Sequence, residues 1–585
     1  MIKTMNSQVL IIGSGGAGLR AAISAADAGA KVLLVCKGKV NRSGSTLLAG
    51  ANVSADVMCD GRSMAAMNIP GIGDENDSKE KFFNDIILEG VYLNDRKLVH
   101  QYVENAPQVI KEIVDSNSNL HPKGDDREIG IPGSTIIDTY YNMMKTRDIT
   151  VVQDAALVEL LKAEDASVAG ALFLDLIHGE LFAVQAGATV LATGGMHNCY
   201  TFTSGTTGLA GEGQAAAIRA GAEMTEMEMV TFCPGVITHP AKWRGSILPY
   251  IIHTNDHFRL RNSKNEEFLA KHLPQSAVDL ALHSEWNKLL LCYAMYKEVA
   301  DEGNGDAYGG VTFDMEYDSK EQEQEFYDSH PYLKEGACLS IMDYLRAHHG
   351  IPVYGAAHYF DGGLKVDETF ATTLPGLFAA GECTGGTFGS NRVSAATTQM
   401  LVQGLQAGKT AAECALAHEA KPICPACLEK AIADAEKPFA VKGEDPRLLK
   451  KRINEIVSRA AGIVREQQQL EEGLAAIEAL QLEQYGVTVA DRAYNRSWMD
   501  WLECRAMIDC AKGILRSSLA RKESRGVFIR SDYFFTDNDN WLVSTHYKNG
   551  EVWLEPVDQT EIPAPAGKLD YIANIEAVIK RLTYS

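Results

Sequence analysis

Apolar positions along the chain fall in short dense runs that end in glycine-rich turns, and this alternation predicts an α/β fold. Residues 8–12, Gln-Val-Leu-Ile-Ile, have the length and continuity of a strand buried on both faces. Gly13-Ser-Gly15-Gly16-Ala-Gly18 follows, and then the Ala-rich, helix-favouring stretch from Leu19 to Ala26, which Gly29 ends. Lys31-Val-Leu-Leu-Val35 is a second strand. Two later runs have the same form. Ala188-Thr-Val-Leu-Ala-Thr193-Gly194-Gly195 and Pro375-Gly-Leu-Phe-Ala-Ala-Gly381-Glu382 are strands running into tight turns. One nucleotide domain is therefore expected from the N-terminal third together with about residues 350–415, interrupted by a second domain. Beyond residue 430 the apolar period changes to three and four. Helices are expected around Leu448–Val457, Leu470–Leu480 and Trp501–Ile508.

Strand, glycine turn, helix and strand within about thirty residues is the setting in which a glycine motif binds a dinucleotide. Gly13 permits the tight turn. Gly15 lets a pyrophosphate approach the backbone. Gly18 lets helix and strand pack closely, and the helix N-terminus stabilises the phosphate charge. A carboxylate often ends the second strand and binds a ribose, but that place holds Cys36 and Lys37. No second unit of this kind occurs, so one dinucleotide site and no separate NAD(P)H site is expected.

Composition narrows the classes further. The 585 residues are 46% apolar and 23% charged, with 51 Gly and 18 Pro, which excludes a disordered chain, a collagen and a coiled coil. The formal charge of −22 repels phosphate backbones and excludes a general nucleic-acid binder. No apolar run reaches the ~20 residues a bilayer span needs, and the N-terminus reads directly into a strand. A cytoplasmic protein, bound to a membrane only through a partner, is expected. The twelve cysteines are scattered, as buried thiols are. Cys424 and Cys427 form the one close pair. A four-thiolate metal site needs a second pair, so no metal is expected.

Several blocks, in the same order over nearly the whole chain, resemble the flavoprotein subunits of fumarate reductase and succinate dehydrogenase and their relative L-aspartate oxidase. Gly211-Glu-Gly-Gln214 is similar to that family's Gly-Asp-Gly block. His358-Tyr-Phe-Asp-Gly-Gly363 is similar to its His-Tyr-x-x-Gly-Gly. Leu374–Glu382 followed by Gly389-Ser-Asn-Arg392 is similar to its flavin-and-substrate stretch. Arg521-Lys-Glu-Ser-Arg-Gly526, Arg530-Ser-Asp-Tyr533 and Asp537–Trp541 resemble the C-terminal part of its complex-forming members. The resemblance implies a Rossmann-like FAD-binding domain at 1–240 and 351–425, an inserted α+β capping domain at 241–350, a helical domain at 426–540 and a tail at 541–585. It also implies one FAD, with Gly13, Gly15, Gly16, Gly18, Lys37, Ser43, Ser45, Thr46, Gly50, Thr193, Gly194, Gly195, Glu382, Arg392 and Ala395 around it. Glu382 is expected to hydrogen-bond the flavin's sugar chain. Covalent members attach the flavin to a His in Arg-Ser-His-Thr. Here Ser45 holds that position, so non-covalent FAD is expected.

By resemblance the reaction passes hydride between the flavin and a carbon–carbon bond beside a carboxylate. Charge developing on the carboxylate is stabilised by a fixed cation, and an acid supplies the proton. Arg392 and His358 fall where the family holds that carboxylate. Other positions depart from it. The family's Gln-Phe-His-Pro-Thr-Gly reads Thr231-Phe-Cys233-Pro-Gly235-Val236, so its dicarboxylate-binding His and Thr are replaced. Its Glu-x-x-Arg-Gly-Glu-Gly-Gly stretch is absent. Lys288 falls at its acid-donating Arg and Tyr293 at a second Arg, with Tyr293, His253 and His257 as further candidates. A carboxylic or carbonyl substrate other than plain fumarate or succinate is therefore expected. An aspartate-oxidase-like amino-acid oxidase is one alternative, and a non-catalytic FAD electron-transfer subunit is another. With no second nicotinamide site and no cysteine cluster for an iron–sulfur centre, an iron–sulfur partner is expected to exchange the electrons.

Overall fold

The computed structural model describes residues 2–49, 55–117, 120–122, 126–249, 255–283, 286–334, 336–393 and 395–582. Its central sheet has seven strands. Ile149–Val152, Val32–Val35, Lys3–Ile12 and Leu181–Leu191 run parallel in that spatial order, and Leu377–Ala379 pairs with the end of Leu181–Leu191. Val168–Asp175 and Ala155–Lys162 extend the sheet antiparallel. Val9, Leu10, Ile11 and Ile12 are buried on both faces, which is why that run shows no polar alternation. The glycine turn leads into the helix Gly16–Asp27, which packs on Ala396–Ala417. Ile12, Val35, Leu191 and Ala379 all end at one edge, and the turns that follow them share it.

A second, antiparallel sheet has the order Val230–Ile237, Ile351–Phe360, Val311–Met315, Phe258–Arg261. Its first two strands flank the inserted segment and its last two lie within it. The helix Asn287–Tyr296 packs on Val230–Ile237 and so is held against the base of this sheet. Lys288 at its start and His358 at the end of Ile351–Phe360 are thereby fixed relative to one another.

The expected helices are Pro446–Ala460, Gln467–Glu478 and Arg496–Ala520. The tail at 541–585 carries elements of its own. Val543–Lys548 and Glu551–Pro556 form a hairpin that pairs with Met224–Thr225, and Tyr571–Ile579 is a helix. The Arg521–Gly526 motif is internal. Arg521, Glu523, Ser524 and Arg525 are 0% exposed. Glu523 accepts from Arg521 at 3.0 Å, from Arg525 at 2.8 and 3.0 Å and from the Asp537 amide at 3.0 Å. Arg521 also reaches Glu228 at 2.8 Å, and Arg525 donates to the Val91 carbonyl at 3.0 Å. Buried charges persist only when paired in this way. Among the described residues no helix is long and apolar enough to cross a membrane.

Candidate active site

A cavity of about 560 Å³ opens along the shared edge of the parallel strands. Gly13, Gly15 and Gly16 line it from the first turn, Lys37 from the end of the second strand, and Ser43, Ser45 and Thr46 from the loop beyond. Thr193 and Gly194 line it after the central strand, and Glu382, Arg392 and Ala395 after Leu377–Ala379. His358 and Lys288 reach it from the second sheet and its helix. Gly50 lies outside the described residues.

Gly18 and Gly195 lie behind this wall. A Cβ on Gly18 would stand 2.0 Å from the Gly13 carbonyl oxygen, so only glycine lets the helix start against the turn. A Cβ on Gly195 would stand 2.6 Å from Glu382 Oε1, so its absence makes room for that carboxylate.

The wall suits a dinucleotide. Gly15 caps the helix Gly16–Asp27, and a Cβ there would meet only Thr46 Oγ1 at 3.4 Å, so this backbone faces the cavity. Ser45 Oγ, Thr193 Oγ1 and Arg392 Nε are buried polar atoms of the wall with no hydrogen-bond partner among the described residues. Such atoms are almost always satisfied in a native structure, and a polar ligand along this cavity satisfies them. These residues therefore fit the glycine-turn, hydroxyl and cation set that FAD requires.

Glu382 is held in place by a residue that the sequence did not single out. His197 Nε2 lies 2.9 Å from Glu382 Oε1, and the Phe360 amide donates to the same oxygen at 3.3 Å. His197 is 1% exposed and its Nδ1 lies 3.0 Å from Thr203 Oγ1. The only sequence signal was a histidine two residues past the Gly194-Gly195 turn.

At the far end, His358 Nδ1 meets Ser204 Oγ at 2.8 Å. Burial, and then the charges of Arg392 and Lys288, hold the His358 imidazole well below its ordinary range, so it is neutral at pH 7. The Arg392 guanidinium lies 4.9 Å from the centre of the Tyr359 ring, whose hydroxyl donates to Gln399 at 3.1 Å. Lys288 is 4% exposed. Behind them, burial pushes Asp361 up to about 7, against the opposing pull of Thr231 and Arg392. The other candidates are not on the wall. Tyr293 stacks on Phe534, His257 packs on Tyr317, and Cys233 is buried beside Val236 and Ala356. His253 lies outside the described residues. Cys424 and Cys427 sit at the start of the helix Pro425–Glu436, where the Cys424 amide bonds the Lys162 carbonyl, and neither lines the cavity.

At the other end, Lys37 is not a lone cation. Its Nζ bonds Glu212, Glu503 at 2.6 Å and the Gly208 carbonyl at 2.8 Å. Burial depresses this ammonium, but Glu212 and Glu503 outweigh that and raise it. Glu212, Arg496 and Met499 share this end of the wall.

Comparison with known proteins agrees with this geometry. A family profile described as "FAD binding domain" matches residues 8–398, and one described as "Fumarate reductase flavoprotein C-term" matches 450–571. The fumarate reductase (CoM/CoB) of Methanothermobacter marburgensis has a subunit that is 30% identical over 90% of this chain and 94% of its own. A fumarate reductase flavoprotein subunit of Mycobacterium tuberculosis is 26% identical over 93% and 94%. Among solved structures, Mycobacterium smegmatis Sdh1 superposes with a TM-score of 0.80 at 24% identity, covering 96% of this chain and 95% of that one. Adenylylsulfate reductase of Archaeoglobus fulgidus gives 0.74 at 19%, over 96% and 97%; both likenesses concern the fold. With the glycine turn, the cavity and both profiles in agreement, the chain belongs to the FAD-dependent oxidoreductase family of fumarate reductase and succinate dehydrogenase flavoprotein subunits.

Proposed function

We propose that this chain is the catalytic flavoprotein subunit of a reductase acting on a carbon–carbon double bond beside a carboxylate, and that it exchanges electrons with an iron–sulfur partner. The observation that carries the reading is the convergence of Arg392, His358 and Lys288 on one cavity wall from three separate parts of the chain.

FAD, when bound, supplies the hydride. Gly15 and Gly16 would hold its pyrophosphate, Ser45 and Thr193 would meet its polar atoms, and Glu382 would take its sugar chain. Arg392 binds the substrate carboxylate with a planar fork of donors and stabilises the charge that grows there. Its stacking on Tyr359 fixes the fork's orientation. Neutral His358, with one nitrogen engaged by Ser204, offers the other to the same carboxylate as a positioned hydrogen bond. Lys288 carries the proton for the adjacent carbon. Cys233, withdrawn into the sheet, offers no second anchor for a dicarboxylate. The substrate on this reading carries one carboxylate beside the double bond. The partner reading rests on the relatives' names, which call them subunits, and on the single dinucleotide site.

An anaerobic titration of the reduced holoprotein with mono- and dicarboxylic 2-enoates tests the proposal. Reoxidation of the flavin by a monocarboxylic enoate supports it. A flavin inert to the whole panel points to a pure electron-transfer role, and rapid turnover of an amino acid with oxygen points to an oxidase.

A further inference from the structure

We propose that the C-terminal helix Arg496–Ala520 completes the adenosine end of the FAD site, with Arg496 and Met499 flanking the purine. The inference rests on the FAD assignment and is independent of the substrate.

The cavity has two chemically distinct ends. Arg392, His358 and Lys288 occupy one, and the glycine turn that takes a pyrophosphate lies between them and the other. The other end therefore receives the adenosine. Its apolar walls are Leu157 and Leu176 on the side of the sheet and Met499 on the side of the helix. A thioether is a polarisable surface for an aromatic ring, and a guanidinium plane stacks on one. Arg496 stands one turn before Met499 on the same helix, with Asn495 capping the helix at 3.0 Å from the Trp498 amide.

An ion cluster fixes this helix end to the nucleotide-binding sheet. Arg496 Nη2 bonds Asp500 at 2.9 Å and Glu503 at 3.2 Å. Glu503 also takes Lys37 at 2.6 Å and Lys450, and Lys450 reaches Asp500 at 3.1 Å. Burial pushes Glu503 up, but Lys37, Lys450 and Arg496 outweigh it and hold the carboxyl at about 2. With Lys37 and Glu212 on the sheet side and Arg496, Asp500 and Glu503 on the helix side, the cluster ties together both walls of the adenosine end. Among the described residues Arg496 joins the cluster through its Nη2, which leaves the plane of the guanidinium for the purine. Binding there adds contacts that exist only while the helix is docked, so the cofactor must tighten the docking by linkage.

The test uses ADP, which carries the adenosine end without the flavin. In the full-length apoprotein, amide hydrogen exchange across residues 496–505 is expected to slow when ADP is added, and to slow likewise with FAD. Arg496→Ala and Met499→Ala are each expected to weaken ADP and FAD alike by about tenfold. Exchange in this segment that ADP leaves unchanged would overturn the proposal. So would wild-type ADP affinity in both variants.

Discussion

His197 and Glu382, 185 residues apart in the chain, meet edge to edge at 2.9 Å on the cavity wall. Thr203 gives its own proton to the Ala357 carbonyl at 2.8 Å, so its oxygen accepts from His197 Nδ1. His197 is thus held at both ring nitrogens, by Thr203 and by Glu382. This fixes Glu382 with one oxygen engaged and the other toward the cavity. His197→Gln removes the fixed partner of a half-buried carboxylate, a bond worth ~1.5–3 kcal/mol. FAD affinity, read by flavin fluorescence, is expected to fall about 10- to 100-fold.

Asp361 sets a pH dependence. It is 3% exposed and accepts from Thr231 at 2.7 Å. Its neighbours Arg392 and Lys288 pull it down and Glu382 pushes it up, yet burial dominates and leaves it at about 7. An unfolded aspartate titrates near 3.9, so between these values the folded state holds the extra proton. Stability must fall as pH rises from about 4 to about 7, by roughly 4 kcal/mol for this group. Asp361→Asn is expected to flatten that slope in denaturant titrations at a series of pH values, and to be more stable than wild type at pH 8.

Glu523 tests the internal reading of the Arg521–Gly526 motif. Glu523→Ala leaves Arg521 and Arg525 buried without their shared carboxylate. Breaking a buried pair costs ~3–5 kcal/mol. The thermal midpoint should drop markedly in the isolated chain, with no partner present.

Flavin attachment follows from Ser45. A serine hydroxyl does not form the covalent link that a histidine makes to a flavin, so acid precipitation is expected to release all of the flavin into the supernatant. A fluorescent band on a denaturing gel would contradict this.

The parts of this protein that local sequence dictates were legible, and those that tertiary contact dictates were not. Gly13 to Gly18 could be read because a tight turn, a phosphate approach and a close packing each need glycine at a fixed spacing. Glu382 was picked out by the resemblance of the Leu374–Glu382 stretch, and it lines the cavity. His197 and Ser204 could not, since each gains its meaning from a residue more than 150 positions away. Arg496 and Met499 were likewise invisible, because the Lys37–Glu503 contact that places them spans 466 residues. The 521–526 motif was recognised, but only Arg525 reaching Val91 shows that it acts inside the molecule. The tail hairpin was missed although Asn549-Gly550, both with positive φ, is a strong turn signal between alternating strands.

On the proposed function, Arg392 is the cation that stabilises the substrate carboxylate as charge develops on it. The most direct measurement of this role is single-turnover reoxidation of the reduced holoprotein by the best enoate of the panel, in wild type and in Arg392→Gln. The variant is expected to keep its FAD and its absorbance spectrum while the reoxidation rate falls about 10²- to 10³-fold. A variant that reoxidises at the wild-type rate would contradict this role.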